Sequence, residues 1–556
     1  MMRIVSCVLA SLAGLQLCHG FVLPTHNVRR TESGSVRGII TAQGQSYLGI
    51  PYGKASRFSH SVAFGTWDGI RSATKYSPQC YQPLAFCETA PESCNKEIFQ
   101  FSWMSEDCLT LNVYTPIRAN DKNCDATYDW KHEYPVLVWI HGGFYQAFSA
   151  GSPYYNGLDL ASAAEIIVVT LNYRLGPLGF LNIPGVEESG NYGFYDQRLA
   201  LKWVKRNIHY FGGNPGKITL GGESAGAHAT LFHMITPRSQ PLFKHAIIMS
   251  APGIEVPTSD DSTRTAVALL SGLKCDSKDN AIKCLREKSV HDIAELSLQL
   301  PIPQNFLHSF MRFGVYIDGL EITKSFFDFN LNFGEKPILI GTSAYEALSL
   351  VYNNLPQAIP LPAFGALMGQ WRPAIVQETQ SLYLTSPFST MDIRPEISQL
   401  LTDAIFTCPA RLLAGRIASV SNVWAYVFNH PNFDSYKKPL SCDDRTCHVD
   451  DFPYLFHHPK LVKGVPDKYF SQLSKLMIEY FGNFVKRTNP NSPRMRPVWL
   501  RHQNNLFSKT IKEERKSKHP LSDDRTLELR YPDPRMIQHY RQDRCDYWDR
   551  VGYKKE

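Results

Sequence analysis

The chain has 556 residues, of which 43% are hydrophobic and 20% charged, and its formal net charge is +7. This length and apolar content predict a large, well-packed globule. The charge argues against nucleic-acid binding, because the main basic cluster (Lys509, Lys512, Arg515, Lys516 and Lys518) encloses Glu513 and Glu514 and carries no groove-reading motif.

The N-terminus has the pattern of a cleaved secretory signal, predicted over residues 1–20. A positive start ending in Arg3 precedes the uncharged, mostly apolar run 4–17, and cleavage is expected near Phe21. The run is too short for a bilayer span, and no later stretch reaches the roughly 18–20 apolar residues needed. We expect secretion or delivery to a secretory-pathway lumen, without a transmembrane anchor; an uncleaved N-terminal anchor is the alternative.

The cysteines are predicted to be structural. Of the 13 in the chain, Cys7 and Cys18 fall in the signal, which leaves eleven. In an oxidising compartment most of these should pair, and an odd number leaves at least one over. No Cys-x-x-Cys pair or Cys/His spacing typical of zinc is present, so no metal is predicted.

Six short runs rich in β-branched residues predict strands. They are continuously apolar rather than alternating, which is typical of a sheet buried on both faces. In chain order they are 136–140, 166–171, 217–220, 245–249, 337–340 and 424–428.

Helical patterns lie between these runs, as in 195–208, where Leu199, Leu201, Val204 and Ile208 fall near one face. Strands that alternate with helices predict an α/β fold with a doubly wound, mostly parallel central sheet flanked by helices. No repeat or linker is visible. Residues 21–556 are therefore expected to form one elaborated domain with a charged C-terminal segment, rather than the several domains that length alone suggests.

The sequence Gly222-Glu223-Ser224-Ala225-Gly226 is the clearest sign of chemistry. It follows the strand predicted at 217–220 and precedes a helix start, so Ser224 would lie at a sharp strand-to-helix turn. Glycines there permit close packing, and the helix N-terminus directs N–H groups toward a developing oxyanion. The pentapeptide alone is common by chance; in this context it predicts that Ser224 is a nucleophile.

A nucleophilic serine needs a base, and the base needs an orienting acid. The chain has 18 histidines and 51 carboxylates. This fold class fixes only the order serine, acid, histidine. Spacing alone therefore leaves both partners open.

Six stretches, in order along the chain, resemble the type-B carboxylesterase and cholinesterase family over nearly all of the mature length. They are GIPYG (49–53), SEDCLTLNV (105–113), LNYRLG (171–176), GNYGFYDQR (190–198), FGGNP (211–215) and RCDYW (544–548). The resemblance implies an α/β-hydrolase fold, hydrolysis of small-molecule or lipid carboxylic esters, and no cofactor.

The resemblance assigns the orienting acid to Glu346, a few residues past the strand predicted at 337–340. Ala347 stands where the family usually has glycine. Without the resemblance, Glu346 would be interpreted as a carboxylate at a helix N-terminus.

The resemblance assigns the base to His448, which precedes a pair of acidic residues and an aromatic one. Val449 replaces the commoner Gly or Ala. His457 and His458 lie close by and are interpreted as surface histidines. Ser250 matches a serine that the family hydrogen-bonds near the triad.

The family's oxyanion hole uses the backbone N–H groups of two glycines and of the residue after the serine. By resemblance these are Gly143, Phe144 and Ala225. The stretch HGGFY (141–145) stands where the family has His-Gly-Gly-Gly-Phe, so Phe144 replaces the third glycine. Phe144 keeps its N–H, but its Cβ is expected to conflict with the usual backbone angles of the loop.

The resemblance also implies two disulfides, Cys80–Cys108 and Cys275–Cys284. Two further pairs are suggested, and pairing beyond the implied two is left open. The suggested pairs are Cys408 with Cys545 and Cys442 with Cys447, and the second of these pairs would lie beside His448. Cys87, Cys94 and Cys124 have no assigned partner.

Ile98 occupies the position of the tryptophan with which cholinesterases bind choline, and the loop's Trp103 lies closer to Cys108, so a choline preference is disfavoured. The leading hypothesis is a secreted serine carboxylesterase. A non-catalytic adhesion or binding protein of the same fold and a lipid-cleaving lipase are the alternatives. The natural ester and the oligomeric state stay open.

Overall fold

The computed structural model describes residues 27–83, 103–116, 133–186, 189–276, 280–300, 311–328, 334–384, 391–431, 442, 445–462, 465–503 and 524–553. The predicted signal, the basic cluster around Lys512, Ile98, Cys87, Cys94 and Cys124 lie outside these residues. Over the described ranges, no helix combines the length and the apolar character that a membrane crossing requires.

The strands of the described residues belong mostly to one large sheet. In chain order they are β1 (Val28–Arg30), β2 (Ser35–Arg37), β3 (Ile39–Ile40), β4 (Gly44–Pro51), β5 (Gly53–Lys54), β6 (Val62–Ala63), β7 (Ile70–Ser72), β8 (Gln79–Cys80), β9 (Met104–Ser105), β10 (Thr110–Pro116), β11 (Tyr134–Ile140), β12 (Ile167–Leu171), β13 (Gly213–Glu223), β14 (His245–Met249), β15 (Ile338–Ser343), β16 (Val423–Phe428), β17 (Arg525–Leu529) and β18 (Arg535–Gln538).

The large sheet has eleven strands in the order β18-β17-β16-β15-β14-β13-β11-β12-β10-β4-β3. Its centre, from β17 to β12, is parallel throughout. Antiparallel strands extend both edges, β18 at one and β10, β4 and β3 at the other. The predicted mostly parallel sheet is confirmed.

Helices connect and cover these strands. The α-helices are Leu158–Ala164, Gly176–Phe180, Tyr192–Asn207, Ala225–Ile235, Ser259–Gly272, Ala281–Glu287, Val290–Gln299, Leu348–Asn354, Ala363–Trp371, Val376–Tyr383, Arg394–Leu401, Cys408–Ala418, Phe452–Phe456, Asp467–Arg487 and Gln542–Val551. A π-helical turn, Thr402–Thr407, joins two of them.

Two hydrophobic cores explain why the predicted strands are continuously apolar. Along β11, Val136 and Val138 belong to one core, whereas Leu137 and Trp139 belong to the other. Successive strand residues point to opposite faces of a sheet. Because helices cover both faces, both sets of side chains are buried and neither needs to be polar.

The structure contains both implied disulfides, Cys80–Cys108 and Cys275–Cys284, together with the two suggested pairs, Cys408–Cys545 and Cys442–Cys447. The Cys408–Cys545 bridge joins positions 137 residues apart. A cross-link over so long a loop restricts the unfolded chain most. The other bridges close short local loops.

Candidate active site

Ser224 lies between the end of β13 and the first residue of the helix Ala225–Ile235. Its backbone angles are φ 55° and ψ −123°, a conformation that non-glycine residues rarely adopt. Its backbone N–H donates a hydrogen bond to Met249 O at 2.9 Å. Such strain persists only where the surrounding structure enforces it, and it is common at reactive sites.

The two glycines around Ser224 are required by close packing. A Cβ on Gly222 would lie 2.4 Å from the carbonyl carbon of Gly226, and one on Gly226 would lie 2.0 Å from Ile140 O. Strand and helix therefore approach too closely for any side chain at either position. The predicted strand–turn–helix geometry is the one observed.

Glu346 and His448 are 102 residues apart in the sequence and meet behind this turn. Glu346 is fully buried. Its Oε1 accepts a hydrogen bond from the backbone N–H of Ser343 at 2.6 Å, and its Oε2 lies 2.5 Å from His448 Nδ1. These two residues and Ser224 follow β15, β16 and β13, whose carboxyl ends share one edge of the sheet. The carboxylate thus fixes the orientation of the imidazole.

The other nitrogen of the ring faces a carboxylate that the sequence analysis did not single out. His448 Nε2 lies 3.1 Å from Glu223 Oε1, close but not aligned as a hydrogen bond. Within the described residues, Ser224 Oγ makes no hydrogen bond to His448. Glu223 could have been noticed as an acidic residue at the end of a buried strand, where a carboxylate needs a partner.

Three buried carboxyl groups set the charge around His448. Burial raises the pKa of Glu223, and Asp451 and Glu346 add to the rise, whereas a protonated His448 opposes it and favours the charged carboxylate. Burial also raises the pKa of Asp451 to about 7, with Glu346 adding to the rise. Burial alone would lower the pKa of His448, but the charges of Glu223 and Glu346 outweigh it and raise this pKa to about 9. The surroundings therefore stabilise a positively charged imidazolium.

The loop after β11 packs directly on the serine turn. A Cβ on Gly142 would lie 2.7 Å from Glu223 Oε2 and 3.1 Å from Ser224 Cβ. Gly143 has φ +91°, and its carbonyl accepts hydrogen bonds from the N–H groups of Gln146 and Ala147 at 2.8 and 2.9 Å. This compact turn therefore lies directly beside Ser224.

Phe144 adopts the left-handed conformation that was expected to conflict with its Cβ. Its φ is +56°, and that of Tyr145 is +62°. The buried Tyr145 hydroxyl lies 2.8 Å from His228 Nδ1. This contact fixes the loop to the helix Ala225–Ile235. The loop thus keeps a glycine-like path at Phe144 at a cost of about 1–3 kcal/mol.

Ser250 follows β14 and also has a positive φ, 51°. Its N–H donates to Gly341 O at 2.8 Å. Its hydroxyl is buried, yet it makes no hydrogen bond to any described residue. The resemblance had implied a hydrogen-bonded hydroxyl here.

A cavity of about 330 Å³ opens beside Ser224, which lines it together with Phe144. The helices Leu348–Asn354 and Ala363–Trp371 form part of its wall. Of the described residues in the wall, only Ser224, Asn354 and Gln370 have polar side chains, and none is charged.

The π-helical turn Thr402–Thr407 forms the wall of this cavity nearest the base. Phe406 lines the cavity, and its ring centroid lies 5.2 Å from that of His448. Neither here nor at any other place in the described residues is a group of three or more His, Cys, Asp or Glu side chains arranged to hold a metal ion.

The fold and this site define an α/β-hydrolase, and comparisons with known proteins identify the family. The carboxylesterase family model matches residues 25–548. The chain is 30% identical to the cAMP-regulated D2 protein of Dictyostelium discoideum over 497 residues, 86% of this chain and 88% of that protein. It is 30% identical to the cocaine esterase of Oryctolagus cuniculus over 500 residues, 84% and 88% of the two chains. It is 29% identical to the acylcarnitine hydrolase of Mus musculus over 496 residues, 85% of each.

The chain belongs to the carboxylesterase family. It is a carboxylic ester hydrolase.

Proposed function

We propose that this protein is a secreted serine carboxylesterase that uses Ser224 as nucleophile, His448 as general base and Glu346 as orienting acid. The observation that carries the proposal is the 2.5 Å contact between Glu346 Oε2 and His448 Nδ1, at the same edge of the sheet as the strained Ser224. A carboxylate on Nδ1 leaves Nε2 as the nitrogen that takes the serine proton.

In the acylation step, Ser224 Oγ attacks the ester carbonyl carbon and its proton passes to His448 Nε2. Nε2 must first exchange its contact with Glu223 for one with Ser224, a small movement because the two residues are adjacent. The oxyanion accepts hydrogen bonds from the N–H groups of Gly143, Phe144 and Ala225. Collapse of the tetrahedral species breaks the ester C–O bond, and the imidazolium returns the proton to the leaving alcohol.

In the deacylation step, His448 removes a proton from water, which attacks the acyl-serine carbonyl carbon. The same N–H groups hold the second oxyanion. The imidazolium then gives its proton to Ser224 Oγ as the acid leaves. In both steps the charge develops on His448 among Glu223, Glu346 and Asp451, whose charges favour the protonated ring.

The cavity supports a preference for uncharged esters. Its walls offer no carboxylate to balance a cation among the described lining residues. Moving an unpaired charge from water into an apolar site is costly, whereas burying hydrocarbon is favourable. Small neutral esters and lipid esters both fit this chemistry.

Secretion is supported by the four disulfides that the described residues contain, since such bonds persist in oxidising compartments. The apolar, charge-poor start of the sequence agrees with the same route.

Specific observations favour a second function, that of a non-catalytic binding protein on this fold. Phe144 and Val449 both hold left-handed backbones at positions where the family has small residues. His448 Nε2 also contacts Glu223 instead of Ser224. Phe144 and Val449 could weaken turnover while the cavity still binds an apolar ligand.

The test uses the secreted protein, its Ser224→Ala variant and a panel of p-nitrophenyl esters. An organophosphate should label Ser224 in the wild type and should not label the variant. Hydrolysis by the wild type with no hydrolysis by the variant supports the esterase. A wild type that binds esters in the cavity but neither turns them over nor reacts with the organophosphate supports the binding protein instead.

A further inference from the structure

We propose that the Cys442–Cys447 disulfide, together with Asp450, positions His448 by holding Cys447 against the segment that carries Glu346. The inference rests on the proposed function, because it takes His448 as the catalytic base. It assigns a role in turnover to a bridge that touches neither substrate nor reacting atoms.

The disulfide packs against residues on both sides of Glu346. Cys442 and Cys447 are both buried, and they form a small hydrophobic cluster with Leu348. Tyr345 packs against the same cluster. Tyr345 and Leu348 stand on either side of Glu346 in the sequence, and Cys447 immediately precedes His448. The disulfide thus lies where the two catalytic segments meet.

One backbone hydrogen bond joins the two segments directly, and a second joins the segment of Glu346 to the end of β16. The N–H of Tyr345 donates to Thr446 O at 3.1 Å, and the N–H of Ala344 donates to Phe428 O at 3.0 Å. The residue before Glu346 is therefore bonded to the residue before Cys447. A shift of the bridge would be transmitted to both members of the acid–base pair.

Asp450 binds the segment that carries His448 through two hydrogen bonds to Cys447. Its Oδ2 accepts a hydrogen bond from the N–H of Cys447 at 2.7 Å, and its own N–H donates to Cys447 O at 3.3 Å. His448 and Val449 are enclosed between these two residues. Val449 has φ +69°, an outlier for a β-branched side chain that persists only when its surroundings enforce it.

This arrangement predicts a loss of rate rather than of binding when the bridge is removed. The contact of 2.5 Å between Glu346 and His448 requires accurate placement, and an error of about 1 Å can cost about a hundredfold in rate. Neither cysteine lines the cavity. Substrate binding should therefore survive while proton transfer slows.

The chain offers a matched control in Cys275–Cys284. That bridge also closes a short loop: its cysteines are 9 residues apart, and Cys442 and Cys447 are 5 apart. It belongs to a helical region that does not line the cavity. Cys442→Ala/Cys447→Ala and Cys275→Ala/Cys284→Ala are compared with the wild type by kcat, KM and thermal unfolding. Both should lose comparable stability, because short closed loops constrain the unfolded chain similarly.

We expect kcat to fall at least about tenfold in Cys442→Ala/Cys447→Ala, with KM within about twofold of the wild type, and kcat to stay near the wild-type value in the control. Wild-type kcat in the first variant, or an equal loss in both, overturns the proposal. A wild type that hydrolyses no ester refutes the proposed function instead.

A pair of substitutions at Asp450 keeps the proposal testable if the first variant does not fold. Asp450→Ala leaves the bridge in place but removes the acceptor of the Cys447 N–H. Asp450→Asn retains an acceptor oxygen. We expect Asp450→Ala to lower kcat selectively and Asp450→Asn to retain most of it. Equal kcat in these two variants and the wild type overturns the proposal.

Discussion

Glu223 Oε1 lies 3.1 Å from His448 Nε2, while Glu346 Oε2 lies 2.5 Å from Nδ1 of the same ring. The imidazole is thus held between two buried carboxyl groups, one of which directly precedes the candidate nucleophile in the chain. Charge on either group favours the protonated ring, so the pair sets the pH at which His448 can act as a base.

Replacing Glu223 with glutamine should extend activity to lower pH. Burial lowers the pKa of His448, and the charge of Glu223 is the largest of the single effects that oppose it, ahead of those of Glu346 and Asp451. Glutamine keeps the shape and removes that charge, so the pKa of His448 should fall. Because the base must be neutral to accept a proton, the acidic limb of kcat/KM against pH should move down by about one unit.

Asp451→Asn provides the comparison for Glu223→Gln. Asp451 also raises the pKa of His448, but by the smallest of the effects that act on the ring, and it is held by a hydrogen bond from Tyr426 Oη at 2.8 Å. The acidic limb of kcat/KM against pH in Asp451→Asn should therefore also move to lower pH, but by less than in Glu223→Gln. A limb that stays fixed or rises in Glu223→Gln contradicts the placement of Glu223 beside the base.

Ser224→Ala should abolish ester hydrolysis and leave folding intact. Loss of the nucleophile costs about four powers of ten in kcat or more. The Ser224 hydroxyl makes no hydrogen bond to other described residues, so its removal should change the free energy of unfolding by less than about 1 kcal/mol. Residual turnover is measured on a p-nitrophenyl ester, and unfolding is followed by circular dichroism. Near-wild-type turnover would rule out Ser224 as the nucleophile.

The parallel sheet was predictable because its signal is local. The run 245–249 coincides with β14, and the other five runs fall on strands that differ by a few residues at their ends. The largest difference is β13, predicted over 217–220 and observed as Gly213–Glu223. Its first residue pairs with Tyr134 on β11, a long-range contact that no local pattern contains.

The site was less predictable because it depends on which residues meet. Ser224 has a local motif, whereas Glu346 and His448 could be named only from the family resemblance. The π-helical turn Thr402–Thr407 carries no sequence signal, yet Thr402 Oγ1 accepts a hydrogen bond from the N–H of Ala347 at 3.0 Å. The contact of Glu223 with His448 likewise arises because the end of β13 packs against a loop that is distant in sequence.

Esters of neutral alcohols should be cleaved with higher kcat/KM than choline esters of the same acid. The described cavity wall has no charged side chain to balance the ammonium, and Ile98 stands where cholinesterases have their choline-binding tryptophan, so the lost hydration of the ammonium is not offset. A neutral isostere of choline, 3,3-dimethylbutanol, gives matched pairs of the same shape. A choline ester that exceeds its neutral isostere by tenfold would contradict this prediction.

Phe144→Gly should widen the site without removing the oxyanion hole. Phe144 lines the cavity beside Ser224, and its φ of +56° already follows a glycine-like path. Glycine can keep that path, so the N–H stays about 2.7–3.1 Å from the developing charge while the ring is lost. The ratio of kcat/KM for a branched-acyl ester to that for an acetate should therefore rise.

Phe144→Ala separates the effect of the ring from that of the backbone, because it removes the ring but keeps a Cβ in the left-handed region. If the ring alone narrows the site, both variants should shift the ratio toward the branched ester. A loss of more than about tenfold on both esters would show instead that the ring holds the N–H in place.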